Sequence, residues 1–233
     1  MLNFKLEDNI SREMIIWIYR RLKIVDDRLI IDLGPNEELE ITEKIVEAIY
    51  GFPATGKEAP SCSKDRDTRG LQWLREQINI PHGDIKASDI KKYIIEHGGT
   101  GDLTIKLICL VFFMKTTCAT NNARVSREAG MVQNLDYKEL KDMNLCKFVL
   151  NELKRAVERF KDKGSKTNTA EGPAALPLLF YLDTRNHAKA LRNNNVPRVQ
   201  HLNKDDLKKI VEEDKAQNEK TFGILDVSTP IFY

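Results

Sequence analysis

Few residues in this chain are spaced for chemistry. The nearest approach is Gly51-Phe-Pro-Ala-Thr-Gly56-Lys57-Glu58, which satisfies G-x4-G-K. A phosphate-binding loop needs Ser or Thr next, to hold the magnesium ion. It also lies between a strand and a helix whose N-terminus donates to the phosphate. Here Glu58 sets a negative charge where phosphates would sit, Pro53 interrupts the loop, and the preceding pattern is helical. The string reads as a turn that ends a helix. The four histidines (His82, His97, His187 and His201) are far apart, without the i, i+4 or H-x3–5-H spacing of a metal site. The four cysteines (Cys62, Cys109, Cys118 and Cys146) contain no CxxC pair. Neither a zinc framework nor a disulfide scaffold is signalled, so a reducing compartment is expected. Cys109 and Cys146 lie in apolar helical runs, where a thiol acts as a small hydrophobe. Cys62 and Cys118 are the two expected near a surface, but neither has the basic cluster or helix N-terminus that makes a thiolate. A hydrolase reading would require one of them to meet a histidine in space. The paired carboxylates Asp205-Asp206 and Glu212-Glu213 fall on a solvated helix. This inventory leads us to expect no catalytic residue, no cofactor and no metal.

Charge offers a different chemistry. Arg20, Arg21 and Lys23 form one basic cluster, and Lys154 to Lys166 form another; Arg185 to Arg198 form a third. Contacts to a nucleic-acid backbone need only such charges on a fitting shape. The residues suited to that role are Lys154, Arg155, Arg159, Lys161, Arg185, Lys189, Arg192 and Arg198. Against this, 37 Lys and Arg meet 35 Asp and Glu for a net charge of +2, and such a balance gives no long-range field. Charge runs are ordinarily solvated helix faces. A protein partner could instead use the loop over residues 51–64, through Phe52, Pro53 and Lys57, or the tail, through Phe232 and Tyr233. The first helix, with Trp17, Ile18, Arg20 and Arg21, could lie on a membrane or in a partner's groove as a basic amphipathic segment. Core packing is its simpler fate, because the strand and helix that follow need cover.

The elements that would position these residues are mostly helical. Ser11 can cap a helix running to about Val25, with Met14, Ile15, Ile18 and Leu22 on one face. Arg28 to Leu33 is short and β-branched, Gly34-Pro35-Asn36 turns the chain, and Leu39 to Ile41 pairs back as a β-hairpin. Thr42 caps a helix that ends at Gly51. Helices follow over residues 65–79, from a cap at Ser88 to His97, and over residues 102–118. The last of these is apolar nearly all round and is expected at the buried centre. Residues 145–163 form the clearest amphipathic helix, with Leu145, Phe148, Val149, Leu153, Ala156, Val157 and Phe160 at helical spacing. Residues 174–187 form a helix in which Pro177, if internal, should kink or restart the ladder. A charged helix spans residues 203–217. The fold class is mainly α: a multi-helix globular domain over residues 1–233 with a small β-hairpin near the N-terminus. A subdivision into a hairpin-containing part (1–100) and a helical core (101–233) is conceivable. The longest apolar run, Leu107 to Met114, is far short of the roughly 20 residues of a membrane span, and the opening residues lack a secretory pattern. A nuclear or cytoplasmic protein is expected.

In this order and spacing the chain resembles the plant mobile domain, a family derived from transposable elements, often labelled "aminotransferase-like" or found ahead of a cysteine protease domain. The resemblance covers about residues 12–226 and rests on several segments. The first are the helix from Trp17, the strand Leu29 to Leu33, Ile41-Thr42 with Val46, and Gly51-Phe52-Pro53 with Gly56-Lys57. Later come Leu107 to Met114, Thr117-Cys118, Val125-Ser126 and Asn144 to Val149 with Leu153 and Phe160-Lys161. The last are Leu178 to Asp183 and Val196-Pro197-Arg198. Two tryptophans frequent in the family are replaced here, by Leu145 and within Gln200-His201-Leu202. The resemblance implies that the G-x4-G-K string is a structural turn. It also implies a non-catalytic protein-interaction domain, associated with chromatin or silencing. The family's protease residues would lie beyond residue 233, and a pyridoxal phosphate lysine with its phosphate cup is not found.

Overall fold

The structure is a computed structural model that describes residues 11–35, 37–59, 68–116, 125, 128–164, 167–185, 197, 204–215 and 221–223. Helix α1 (Arg12–Arg21) leads directly into strand β1 (Leu22–Val25), which pairs with β2 (Arg28–Gly34), and β2 pairs with β3 (Glu37–Ile41). Both pairings are antiparallel, in the order β1-β2-β3. Ser11 caps α1, its hydroxyl accepting from the Met14 backbone N–H at 3.2 Å. The helix stops four residues before the expected Val25. Leu22 turns to extended backbone, and Lys23, Ile24 and Val25 face Ile30, Leu29 and Arg28 across the ladder. The expected hairpin is thus a three-stranded meander. Its first turn, Asp26-Asp27, has φ of 49° and 62°, the left-handed pair that a two-residue hairpin needs and that Asp tolerates.

Helix α2 (Glu43–Tyr50) starts from Thr42 as expected and ends on Gly51 at φ 72°. A short strand, β4 (Lys57–Glu58), follows, and then α3 (Thr68–Ile78) and α4 (Ala87–His97). The cap of α4 is not Ser88, which lies inside the first turn. The carboxylate of Asp89 accepts from the Lys86 N–H at 2.8 Å instead. Helix α5 (Asp102–Thr116) is followed by α6 (Glu128–Gln133), a 3-10 turn (Tyr137–Asp142) and β5 (Met143–Asn144), which lies parallel to β4. Then come α7 (Leu145–Asp162), α8 (Ala175–Asp183) and α9 (Lys204–Glu213).

The buried centre is not α5. Among its side chains whose burial is described, only Leu107, Leu110, Phe113 and Met114 are buried, while Ile105, Ile108, Cys109, Val111 and Phe112 are half-buried. An apolar sequence makes burial favourable all round but cannot provide neighbours on every side; here α4, α6 and the 3-10 turn cover one flank. The enclosed helix is α8, in which every residue from Leu176 to Leu182 is buried. It runs unbroken through Pro177. Proline there stands in the first turn, where backbone N–H groups have no partner within the helix. Packing crosses residue 100 throughout: α2 lies on α7, α3 on α6, and α1 on α7 and α8. The inward face of α7 is Cys146, Phe148, Val149, Leu153, Ala156, Val157 and Phe160. Each large side chain among them is worth about 1.5–3 kcal/mol of burial.

Candidate functional site

The loop with the G-x4-G-K string is built into the core. Phe52 is buried and stacks on Tyr50, with centroids 5.2 Å apart, and meets Phe112 edge-on. Gly56 has φ of 117° and lies so near Asp142 that a Cβ there would be 2.2 Å from its carbonyl oxygen. The start of α7 holds the rest. The Cys146 N–H donates to Pro53 O at 3.3 Å, and its thiol donates to Phe52 O at 3.2 Å. Burial, reinforced by the charges of Glu47 and Glu43, pushes that thiol up to about 12, so it stays protonated. Lys147 pairs with Glu58, whose carboxyl is held below the usual carboxylate range by that hydrogen bond and charge. Gly51 and Gly56 thus shape a turn whose carbonyls at Phe52 and Pro53 already accept from Cys146 of α7. Phe52 is a core residue, Pro53 is half-exposed and Lys57 is exposed; Lys57 stands 3.8 Å from Glu139.

Asn144 joins the two halves of this arrangement. Its Oδ1 accepts from the Lys147 N–H at 2.8 Å, capping α7. Its Nδ2 donates to Glu43 Oε2 at 2.8 Å and to Ala54 O at 2.9 Å. Asn144→Ala removes a cap and takes the donor from two half-buried acceptors, Glu43 Oε2 and Ala54 O, at a cost of about 2 kcal/mol. Asn144→Asp should not rescue it, since both donated bonds are lost and a second carboxylate faces Glu43. Urea unfolding of the two variants checks this; wild-type stability for either would contradict it.

The basic residues expected on a nucleic-acid face are engaged by neighbours. Lys154 lies 2.7 Å from Asp27, with its side chain 15% exposed. Arg155 pairs with the buried Glu152. Arg159 is 3.8 Å from Glu171, and Lys163 is 2.8 Å from the same carboxylate. Lys161 donates to Arg20 O at 2.9 Å. Arg185 is 3% exposed, lies over the Tyr181 ring at 4.1 Å and is 3.6 Å from Glu37. Lys189, Arg192, Arg198, Phe232 and Tyr233 lie outside the described residues, as do Cys62, Cys118, His187 and His201.

A second surface lies along α1, the helix whose Trp17, Ile18, Arg20 and Arg21 the sequence marks as a basic amphipathic segment. Arg12, Ile16 and Arg20, spaced i, i+4 and i+8, edge a groove of about 540 Å³ that also takes in Glu13, Trp17, Asn168 and Phe222. The spacing is a helical stripe and could have been read from the sequence; Asn168 and Phe222 could not. Trp17 is fixed from three sides: Tyr181 and Phe222 meet it edge-on at 5.3 and 5.8 Å, and Arg21 lies over its ring at 3.8 Å. Beneath this, Tyr181 donates to Asp214 Oδ2 at 2.5 Å, which also accepts from the Gly223 N–H at 3.0 Å. That buried carboxylate ties the segment carrying Phe222 to the helices. Arg12 donates through Nε and Nη2 to Asn168 O, at 3.1 and 2.8 Å.

The fold defines a mainly α-helical protein with a small three-stranded antiparallel sheet at its N-terminal end. The chain belongs to the family described as a domain of unknown function (DUF8566), whose model matches residues 1–177. No curated protein and no solved structure matches it. Among the described residues no helix is long and apolar enough to cross a membrane, and no group of three or more His, Cys, Asp or Glu could hold a metal ion.

Proposed function

We propose that this chain is a non-catalytic protein-interaction module of transposon-derived origin, working in the nucleus or cytoplasm and associated with chromatin or silencing. The observation that carries the reading is the internal engagement of its basic residues. Lys154, Arg155, Arg159, Lys161 and Arg185 each face a carboxylate or carbonyl of the chain itself. A cation already engaged in this way neutralises less phosphate charge, so fewer of the counterions condensed on a nucleic acid are released, and that release is what drives backbone binding. The resemblance to the plant mobile domain supports the same reading, as does a chemistry-bearing loop whose polar groups serve its own packing.

Affinity capture with the tagged chain, with and without nuclease, tests the proposal, together with retention on duplex DNA and on RNA at low salt. A protein partner that survives nuclease is expected, with no retention on either nucleic acid. Retention that falls steeply as salt rises would overturn the proposal in favour of nucleic-acid binding, and the basic faces would be the next residues to change.

A further inference from the structure

We infer that the α1 groove is the docking site, and that it takes a partner peptide segment in which a carboxylate side chain flanks aromatic or aliphatic residues. This rests on the interaction reading above and names the partner's chemistry. Three observations carry it. The groove is floored by Ile16, Trp17 and Phe222, each 7% exposed, and its volume of about 540 Å³ has room for one or two large side chains. Arg12 and Arg20 stand one at each end of the helical stripe, against the single carboxylate of Glu13. Asn168 holds Arg12 in place through its carbonyl, so part of the ordering cost of the site is already met. Finally, Trp17 is 7% exposed and its Nε1–H, shielded from water, has no acceptor among the described residues. Most buried polar groups in folded proteins are hydrogen-bonded. A donor left over in a residue that lines a cationic groove calls for an acceptor from outside, and the adjoining arginines favour one that is negatively charged.

The test uses the full chain labelled with nitrogen-15 and two blocked peptides, acetyl-Leu-Asp-Ile-Phe-Asp-amide and its neutral counterpart acetyl-Leu-Asn-Ile-Phe-Asn-amide. The Trp17 indole cross-peak is identified by its loss in Trp17→Phe and separated in this way from that of Trp73. With the acidic peptide the peak should move downfield and saturate. With the neutral peptide binding should be about tenfold weaker, and Arg12→Gln/Arg20→Gln should weaken the acidic peptide by a similar factor without disturbing the other cross-peaks. An unmoved Trp17 peak, or equal response to both peptides, overturns the groove proposal. A captured protein partner that the double arginine variant retains in full also overturns it, while leaving the interaction reading intact.

Discussion

Between pH 9 and pH 11 this protein is expected to lose about 4 kcal/mol of its stability, because burial keeps three of its six tyrosines neutral while it is folded. Tyr19 and Tyr181 are 0% exposed and Tyr50 is 1% exposed. Burial pushes all three phenols far above their ordinary range; nearby Tyr50 adds to the effect at Tyr19, and the Asp214 charge adds at Tyr181. In the unfolded chain each ionises near pH 10. The folded pKa is the higher one, so this stability is fully present below about pH 10 and is lost as pH rises above it. Each tyrosine contributes a slope of about 1.4 kcal/mol per pH unit, so three give about 4. Set against a domain stability of about 5–15 kcal/mol, a loss of that size is a large fraction of the whole. Urea midpoints measured at pH 9, 10 and 11 should fall steeply over the upper interval, and Tyr50→Phe should reduce the slope by about a third. Midpoints that stay level across the range would contradict the prediction.

The second large effect comes from a single added methyl group. At Gly70 of α3 a Cβ would lie 2.2 Å from Gly130 N, 2.5 Å from Gly130 Cα and 2.7 Å from Ala129 C. All three atoms belong to the α6 backbone, so no side-chain rotation makes room. Gly70→Ala gains up to about 1 kcal/mol in helix propensity. It must nevertheless push α3 off α6 and lift the buried Leu71 and Leu74 with it. A net loss of about 3 kcal/mol or more is expected, equivalent to a fall in Tm of about 6–12 °C. Gly99, where an added Cβ meets nothing within 4 Å, supplies the control: Gly99→Ala should stay within about 0.5 kcal/mol of wild type. Equal melting temperatures for the two variants would mean that the two helices can separate without cost.

Local physics made much of this architecture legible. Ser11 and Thr42 announce helix starts because their hydroxyls satisfy orphan N–H groups, and the 3.6-residue period of residues 145–163 gives α7 its inward face. What failed depends on partners distant in sequence. Leu22 to Val25 continue the apolar pattern of α1, and only pairing with residues 28–31 makes them a strand. Ser88 has the right chemistry for a cap and loses to the reciprocal bond from Asp89. Helix α5 is as apolar as a centre should be, yet the enclosed place goes to α8, because only the packed arrangement decides which helix has neighbours on all sides. The partners of the basic residues are hidden from the sequence for the same reason. Nothing near Lys154 in sequence foretells Asp27, 127 residues earlier, and nothing near Arg185 foretells Glu37. In the α1 groove, Trp17 and Arg20 stand out as residue types, but Asn168 and Phe222 come from far along the chain.

That separation has a consequence for synthesis. The partners that enclose α1 are Phe160, Glu171, Tyr181 and Phe222. A ribosome adding about 5–20 residues per second makes Trp17 on the order of 10 s before it makes Tyr181. Over that interval the nascent chain carries a bare apolar helix beside a small sheet, which a chaperone would recognise and to which other nascent chains would stick. Nor would a polypeptide ended at residue 177, where the family match stops, escape this state. It would cut α8 after its third residue, Pro177, and, though it keeps Phe160 and Glu171, leave the first helix permanently without Tyr181 and Phe222.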